Sequence, residues 1–151
     1  MSDITLKLAE KADAPVVFGF LQKLAGKLGK DNHFNGTVEA LEHFGFGDKP
    51  AFEAILAYHQ QTPVGFILYF EEFSTWRCSP GIYIQDLYLN ASMRGQGLGK
   101  LLINAAAEVG RQRQATYLRL SVDASNNSGM DFYTSMGFEH KHEEKMLMLN
   151  I

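Results

Sequence analysis

The sequence predicts one α/β (α+β) domain with a mixed, mostly antiparallel central sheet flanked by helices. Short runs rich in alternating, β-branched and aromatic residues predict strands, and runs with apolar residues every three or four positions predict helices. Their order along the chain is β-α-α-β-β-β-α-β-α-β, which is typical of a sheet covered by helices. Because 151 residues is the length of one ordinary domain, we expect residues 1–151 to form a single domain.

The first half of the chain predicts three strands and two helices. Residues 4–8 alternate between apolar and polar and form the first strand. Asp13 is a suitable cap for the first helix, which ends near residues 26–29, and Thr37 is a suitable cap for the second. The β-rich runs 52–59 and 64–70 are joined by a short turn, so they predict an antiparallel hairpin.

The second half predicts three more strands and two more helices. A loop over residues 74–80 leads into a strand over 81–89, and a glycine-rich turn follows. The next helix carries an apolar stripe formed by Leu98, Leu101, Leu102, Ala105, Ala106 and Val109. A strand over 116–122, a short helix capped by Asn126 or Ser128, and a last strand over 144–151 complete the chain.

Composition and charge restrict the classes of function. The net charge is −3, with 14 basic and 17 acidic residues, whereas nucleic-acid binders usually carry a basic excess. No apolar run approaches the roughly 18 residues of a membrane span. With one cysteine and a mixed N-terminal segment that does not resemble a signal peptide, we expect a cytoplasmic protein without nucleic-acid or membrane partners.

The turn at residues 94–99 follows a strand and precedes a helix, an arrangement that favours an anion. Glycines let the backbone approach a phosphate, and the first N–H groups of the helix have no internal partner. Leu101 after Lys100 excludes a Walker loop, which needs a hydroxyl there, and the glycines have the wrong frame for a dinucleotide fold. A different phosphorylated cofactor is therefore expected.

The run Arg94-Gly95-Gln96-Gly97-Leu98-Gly99 resembles the acetyl-CoA motif of the GNAT superfamily of N-acetyltransferases. Asn126, Phe132-Tyr133 and Gly137-Phe138 resemble a second motif of that family at the expected separation, with Gly129 at its small position. Further likeness to the diamine (spermidine/spermine) and thialysine branch lies in segments 44–50, 74–76, 81–83 and 86–88. The resemblance implies the GNAT fold, acetyl-CoA as co-substrate and a homodimer.

The resemblance also implies roles for individual residues. The backbone of Leu87, Tyr88 and Leu89 would pair with the pantetheine arm of acetyl-CoA, and one N–H there would polarise the thioester carbonyl. The pyrophosphate would be held by Arg94, Gly95, Gln96, Gly97, Leu98, Gly99 and Lys100. Asn126 would lie near the pantetheine, and Tyr133 would be the general acid that protonates the departing thiolate.

Two departures from the branch concern the acceptor. Gln85 stands where the relatives carry a glutamate that binds the amine and removes its proton; an amide can bind but cannot act as a base, so Asp86 or a chain of waters remains. Lys27 and Leu28 stand where the polyamine enzymes carry a tyrosine–glutamate pair, and Lys27 would repel a polyamine. We therefore expect a small primary amine of the diamine, polyamine or amino-acid type, and favour an acceptor with a carboxylate, as amino acids have, over spermidine. Trp76 is a further candidate contact.

Two other functions remain open at this level: transfer to a protein or peptide amine, and acetyl-CoA binding without catalysis. Tyr133 favours catalysis, and Gln85 favours its absence. His140, His142 and Glu144 would share one face of the last strand, but a polar outer face explains them, and no metal is expected.

Overall fold

The computed structural model describes residues 3–151, which divide into two compact units, one ending at Ser121 and the other beginning at Val122. The first unit holds the whole sheet and three of the α-helices. The second holds the last helix and the C-terminal segment. The single domain expected from chain length stays a prediction.

The first unit contains a five-stranded sheet in the order β1-β2-β3-β4-β5. The strands are β1 (Ile4–Leu8), β2 (Glu53–His59), β3 (Thr62–Ser74), β4 (Ser79–Leu89) and β5 (Leu118–Leu120). The first four strands pair antiparallel with their neighbours, and β5 pairs parallel with β4. The predicted mixed sheet is confirmed, although β3 and β4 extend into the expected loop and β5 is shorter than predicted.

The helices are α1 (Ala14–Lys27), α2 (Val38–Gly45), α3 (Leu98–Gln112) and α4 (Asn127–Ser135). Thr37 caps α2 as predicted, because its hydroxyl accepts the Ala40 N–H at 3.0 Å. Asp13 occupies the N-cap position of α1 as predicted, but its side chain makes no capping bond to the helix: its carboxylate accepts the Glu10 N–H at 2.8 Å and pairs with the Lys7 ammonium. A preceding helical turn already positions the start of α1, so no side-chain cap is needed there.

The helices of the first unit cover the two faces of the sheet. On one face, Val17 and Phe20 of α1 belong to a buried cluster with Phe66 and Leu68 of β3. Ile67 and Tyr69 point to the opposite face, where the buried residues of α3 are Leu98, Gly99, Leu102, Ile103, Ala106 and Gly110. The predicted stripe of α3 is rotated slightly, since Leu101 is 38% exposed.

In the second unit, the predicted helix is confirmed and the predicted strand is wrong. Asn126, not Ser128, caps α4 by accepting the Gly129 N–H at 3.0 Å. Gly137, at φ 100°, ends the helix, and the Phe138 N–H bonds back to Tyr133. The predicted strand over 144–151 is wrong: these residues form no strand, and five apolar side chains there are at least 80% exposed. An alternating pattern becomes a strand only where a neighbouring backbone pairs with it.

Two helical glycines offer a matched test of the packing on α3. A Cβ at Gly110 would lie 2.9 Å from Ile82 Cγ1 and 3.2 Å from Ala115 Cβ, whereas a Cβ at Gly19 of α1 meets nothing within 4 Å. We expect Gly110→Ala to lower the free energy of unfolding by about 1–3 kcal/mol. Gly19→Ala should raise it by up to about 1 kcal/mol. Urea denaturation measures both, and a stabilising Gly110→Ala would contradict this packing.

Candidate active site

The end of β4 has a sheet neighbour on one side only. β5 pairs with β4 over Ile82–Ile84, while β3 follows β4 to Leu89. Among the described residues, no strand pairs with residues 85–89 on the β5 side. Apart from the Leu89 carbonyl, to which Arg94 donates, the backbone N–H and C=O groups on that side have no strand partner and could bind an extended ligand as an added strand.

A β-bulge lies at the point where β4 leaves β5. Leu68 pairs with Asp86, but the next residue of β3, Tyr69, pairs with Ile84, so Gln85 is the extra residue. Strict alternation would place Tyr83 and Asp86 on opposite faces. Because the bulge shifts the register by one, Tyr83 lies opposite Phe70 and Asp86 lies opposite Leu68, and both share the face covered by α1.

Asp86 is the titratable group at this bulge. Its side chain lies beside the cluster of Leu68 and Phe20, and burial raises the pKa of its carboxyl to about 6. No hydrogen bond or ion pair to it is found within residues 3–151. A carboxylate of this kind both attracts an ammonium ion and accepts its proton more readily than an exposed aspartate does.

The glycine-rich turn after the open edge has backbone geometry suited to an anion. Gly95 and Gly97 have φ of 76° and 88°, which L side chains rarely adopt. Gly97 is the N-cap of α3 and provides no side chain to bond the first N–H groups of the helix. These N–H groups and the positive end of the helix dipole favour a phosphate.

Two cations lie at this turn. Arg94 donates from Nε and Nη2 to the Leu89 carbonyl at 3.2 and 2.9 Å, and its guanidinium lies 5.5 Å from the Tyr88 ring centroid. Burial, followed by the charge of Arg94, lowers the pKa of Lys27 at the end of α1. Lys27 is thus within electrostatic reach of the anion-binding turn, a proximity that its position in the sequence did not predict.

The second unit carries the other motif. A Cβ at Gly129 would lie 2.4 Å from Asn126 Nδ2, so the capping side chain explains why this position is small. The Tyr133 ring packs edge-on against Phe132 and Phe138, at centroid distances of 5.1 and 5.6 Å. The catalytic role of Tyr133 stays a prediction.

Sequence reasoning missed a charged cluster upstream of the bulge. Arg119 of β5 donates from Nε and Nη2 to the Glu72 carboxylate at 2.9 and 2.8 Å, and the Tyr117 hydroxyl donates to the same carboxylate at 2.9 Å. The Arg119 guanidinium lies 4.6 Å from the Tyr83 ring centroid, and Arg77 lies 5.0 Å from that of Tyr117. No local sequence signal marks this cluster, because Tyr83 and Arg119 become neighbours only through the pairing of β4 with β5.

The described residues contain neither a metal-binding cluster nor a membrane-spanning helix. Over residues 3–151 there is no group of three or more histidine, cysteine, aspartate or glutamate side chains placed to hold a metal ion. Over the same residues, none of the helices has the length and apolar character that crossing a bilayer requires. Trp76, a predicted substrate contact, is fully exposed.

Comparison with known proteins supplies the family. The profile of the acetyltransferase (GNAT) family matches residues 23–138. Thialysine N-ε-acetyltransferase of Bos taurus is 30% identical over 91% of this chain and 85% of its own length. A human spermidine/spermine N(1)-acetyltransferase-like protein 1 is 26% identical over 91% of this chain and 21% of its own length.

A solved structure of aminoglycoside N-acetyltransferase AAC(6')-Iy in complex with CoA superposes with a TM-score of 0.75 at 17% identity, covering 98% of this chain and 94% of that one. It shows that the fold is shared. Together with the family match, these relatives confirm the resemblance that the two motifs indicated. The chain belongs to the acetyltransferase (GNAT) family, is similar to the thialysine and spermidine/spermine branch, and is an acyltransferase.

Proposed function

We propose that this enzyme transfers the acetyl group of acetyl-CoA to the primary amine of a small molecule by direct attack. One observation carries the proposal: the open backbone edge of β4 begins at the bulge at Gln85 and, after a short helical turn at Ala91–Met93, leads to the glycine turn before α3. An extended arm that ends in a pyrophosphate has the shape of this combined site. Acetyl-CoA supplies an activated acetyl thioester to the site.

The residues present fit acetyl-CoA. The open backbone groups of residues 87–89 would receive the pantetheine arm, and an N–H aimed at the thioester oxygen would polarise it. The first turn of α3 would hold the pyrophosphate, with Lys100 at its third position. Arg94 and Lys27 add positive charge there, and Arg94 also bonds the end of β4 to the turn. These contacts use backbone groups, which explains why glycines hold three of the six positions 94–99.

Asp86 is proposed to remove the proton from the incoming ammonium ion. It is the titratable group at the bulge, it faces the same side of the sheet as Tyr83, and burial brings its pKa to about 6. Gln85, exposed and without a partner in β3, would bind the amine through its amide oxygen. The proton would pass to a carboxylate Oδ of Asp86, directly or through water.

Further roles follow from the family resemblance. Tyr133 would donate its phenolic proton to the departing thiolate, and Asn126 would contact the pantetheine while it caps α4. Trp76 is proposed to contact the acceptor. A homodimer is proposed on the same ground, whereas a single domain is proposed from chain length and a cytoplasmic location from the one cysteine and the composition of the N-terminal segment.

We propose an acceptor that combines an amine with a carboxylate. The bovine relative is a thialysine N-ε-acetyltransferase, and this chain lacks the tyrosine–glutamate pair that the polyamine enzymes carry. Lys27 occupies that position and contributes a second cation rather than an acid. A polycation would therefore find less attraction here than a zwitterion.

An acceptor panel tests the function. Purified protein with acetyl-CoA is given lysine, ornithine, cadaverine, spermidine and short peptides; thiol release and mass spectrometry measure turnover and product. We expect acetylation of the side-chain amine of lysine-like acceptors, with slower turnover of spermidine and of peptides. Faster turnover of spermidine would overturn the acceptor class, and transfer to peptides alone would favour a protein acetyltransferase. Tight acetyl-CoA binding without turnover of any acceptor would favour a non-catalytic protein.

Gly97→Ala tests the anion site. A side chain at φ 88° strains the turn at the start of α3, so the N–H groups lose their alignment. We expect the Kd for acetyl-CoA to rise about 5- to 150-fold, which corresponds to about 1–3 kcal/mol of strain, with little change in the secondary structure. Gly19→Ala, on α1 with open space around it, is the control. Calorimetric titration with acetyl-CoA measures both, and unchanged affinity in Gly97→Ala would remove the turn from the site.

Asp86→Asn tests the base through two readouts. In the native enzyme, kcat/KM should fall as pH drops through about 6, because the carboxyl becomes protonated. The variant should lose about 100-fold or more of kcat/KM at pH 7 and lose this acidic limb.

Stability should change in the opposite direction. Since folding raises the pKa of Asp86 above its ordinary value, the charged carboxyl costs free energy above about pH 6. Asp86→Asn should therefore be more stable at pH 7 by up to about 3 kcal/mol, and this advantage should vanish near pH 4. The exposed Asp48→Asn is the control. An acidic limb that persists in Asp86→Asn would assign the proton transfer to another group.

A further inference from the structure

We propose that Arg119, braced by Glu72 against the ring of Tyr83, is the carboxylate-binding subsite for the acceptor and sets the preference for amino-carboxylates. The inference rests on the proposed function, since it concerns the acceptor of the same reaction. All of its residues belong to the first unit.

The Glu72 bond engages only part of Arg119. Nε and Nη2 donate to the two carboxylate oxygens at 2.9 and 2.8 Å, which occupies one edge of the guanidinium. The other edge, formed by Nη1 and the second N–H of Nη2, has no acceptor among the described residues. Two parallel N–H groups of this kind match a second carboxylate.

Neighbouring groups hold this edge in place. Glu72 is itself fixed by the Tyr117 hydroxyl at 2.9 Å, and its side chain is 20% exposed, while that of Arg119 is 56% exposed. The Tyr83 ring under the guanidinium is held by stacking on Phe70 at 5.1 Å and by a hydrogen bond of 3.0 Å from its hydroxyl to Ser121. The guanidinium is therefore positioned before any ligand arrives, although part of it faces solvent.

The charge of the cluster favours an anion. Arg119 pairs with the Glu72 carboxylate, and the Arg77 guanidinium lies 5.0 Å from the centroid of the Tyr117 ring, whose hydroxyl donates to the same carboxylate. No acidic partner of the Arg77 side chain is found in residues 3–151. The cluster thus carries an excess of one positive charge on a chain whose net charge is −3.

The spacing along the sheet fits an amino acid with a long side chain. Tyr83 lies opposite Phe70 and Asp86 lies opposite Leu68. The positions of Tyr83 and Asp86 are therefore separated by two residues of β3, which is about 7 Å along the strand. An extended lysine-type molecule separates its carboxylate from its side-chain amine by about 7 Å as well. With the amine at Asp86, the methylene groups would cross the Tyr83 ring, and the carboxylate would reach the Arg119 guanidinium, which lies over that ring.

The coenzyme does not compete for this cluster. The anion-binding turn lies beyond Leu89, six residues of β4 downstream of Tyr83, which is roughly 20 Å. The cluster and the turn therefore lie on opposite sides of the bulge. With the coenzyme pyrophosphate at the turn, the cluster would stay free for the acceptor.

Lysine and cadaverine form a matched pair of acceptors, because they share the chain and the amine and differ in the carboxylate. We expect the native enzyme to prefer lysine. Arg119→Gln should lower kcat/KM for lysine about 10- to 100-fold, mainly through KM, and leave cadaverine unchanged or improved. Arg119→Lys keeps the charge but lacks the two parallel N–H donors, so its kcat/KM for lysine should lie between those of the native enzyme and Arg119→Gln. Arg111→Gln, an exposed arginine of α3, is the control.

Thermal denaturation verifies that the variants fold. If Arg119→Gln does not fold, the comparison of lysine with cadaverine is made with Arg119→Lys. An equal loss for lysine and cadaverine, or no loss for either, would overturn the subsite.

Calorimetric titration of lysine against the CoA-bound protein separates this inference from the proposed function. Lysine binding that Arg119→Gln abolishes supports the subsite even if no amine is acetylated, and absence of lysine binding to the native protein overturns it. Equal turnover of both acceptors would overturn the subsite and leave the acetyltransferase function standing.

Discussion

Incomplete pairing of β4 is the constraint on which the rest of the site depends. β3 holds the strand along its whole length, whereas β5 pairs with it only over Ile82–Ile84. A backbone edge within a sheet is normally satisfied or covered, since unpaired N–H and C=O groups bind other extended chains. Here the edge ends at the glycine turn before α3, so an extended ligand with a terminal phosphate finds both of its requirements along one continuous stretch.

Donor and acceptor recognition depend on different parts of the chain. The proposed coenzyme site consists of backbone groups, positive-φ glycines and a helix start, which carry little side-chain specificity. The proposed acceptor site consists of side chains on one face of β3, β4 and β5, with Asp86 at one end and Arg119 at the other. The charges of the two proposed sites also differ: cations at both ends would receive anions, and the half-buried carboxyl of Asp86 between them would receive the amine.

The sequence predicted those features that short-range patterns determine. The order of elements through α4, the Thr37 cap and the glycine turn all rest on local propensity and periodicity, and the structure confirms them. The strand over 144–151 could not be decided in this way, because pairing depends on a distant backbone. The stripe of α3 was misassigned at Leu101 since an apolar residue at helical spacing can still lie at the boundary of the buried face.

The residues of the candidate site also differ in whether a local sequence pattern could predict them. The coenzyme motif is contiguous, so its residues could be named from the sequence alone. The cluster of Glu72 with Arg119 joins residues that are 47 positions apart, and the bulge that unites Tyr83 with Asp86 becomes visible only through the register of β3. No motif marks either feature, because both arise from the pairing of strands that are distant in sequence.

The extra residue at Gln85 also bears on how such an enzyme changes over evolution. The bulge sets the phase of the strand: losing one residue there would turn the downstream side chains, Asp86 among them, to the other face. The coenzyme edge would keep most of its function, since backbone groups occur at every position whatever the side chain. A single-codon insertion or deletion in β4 could thus exchange the acceptor chemistry in one step while acetyl-CoA binding persists.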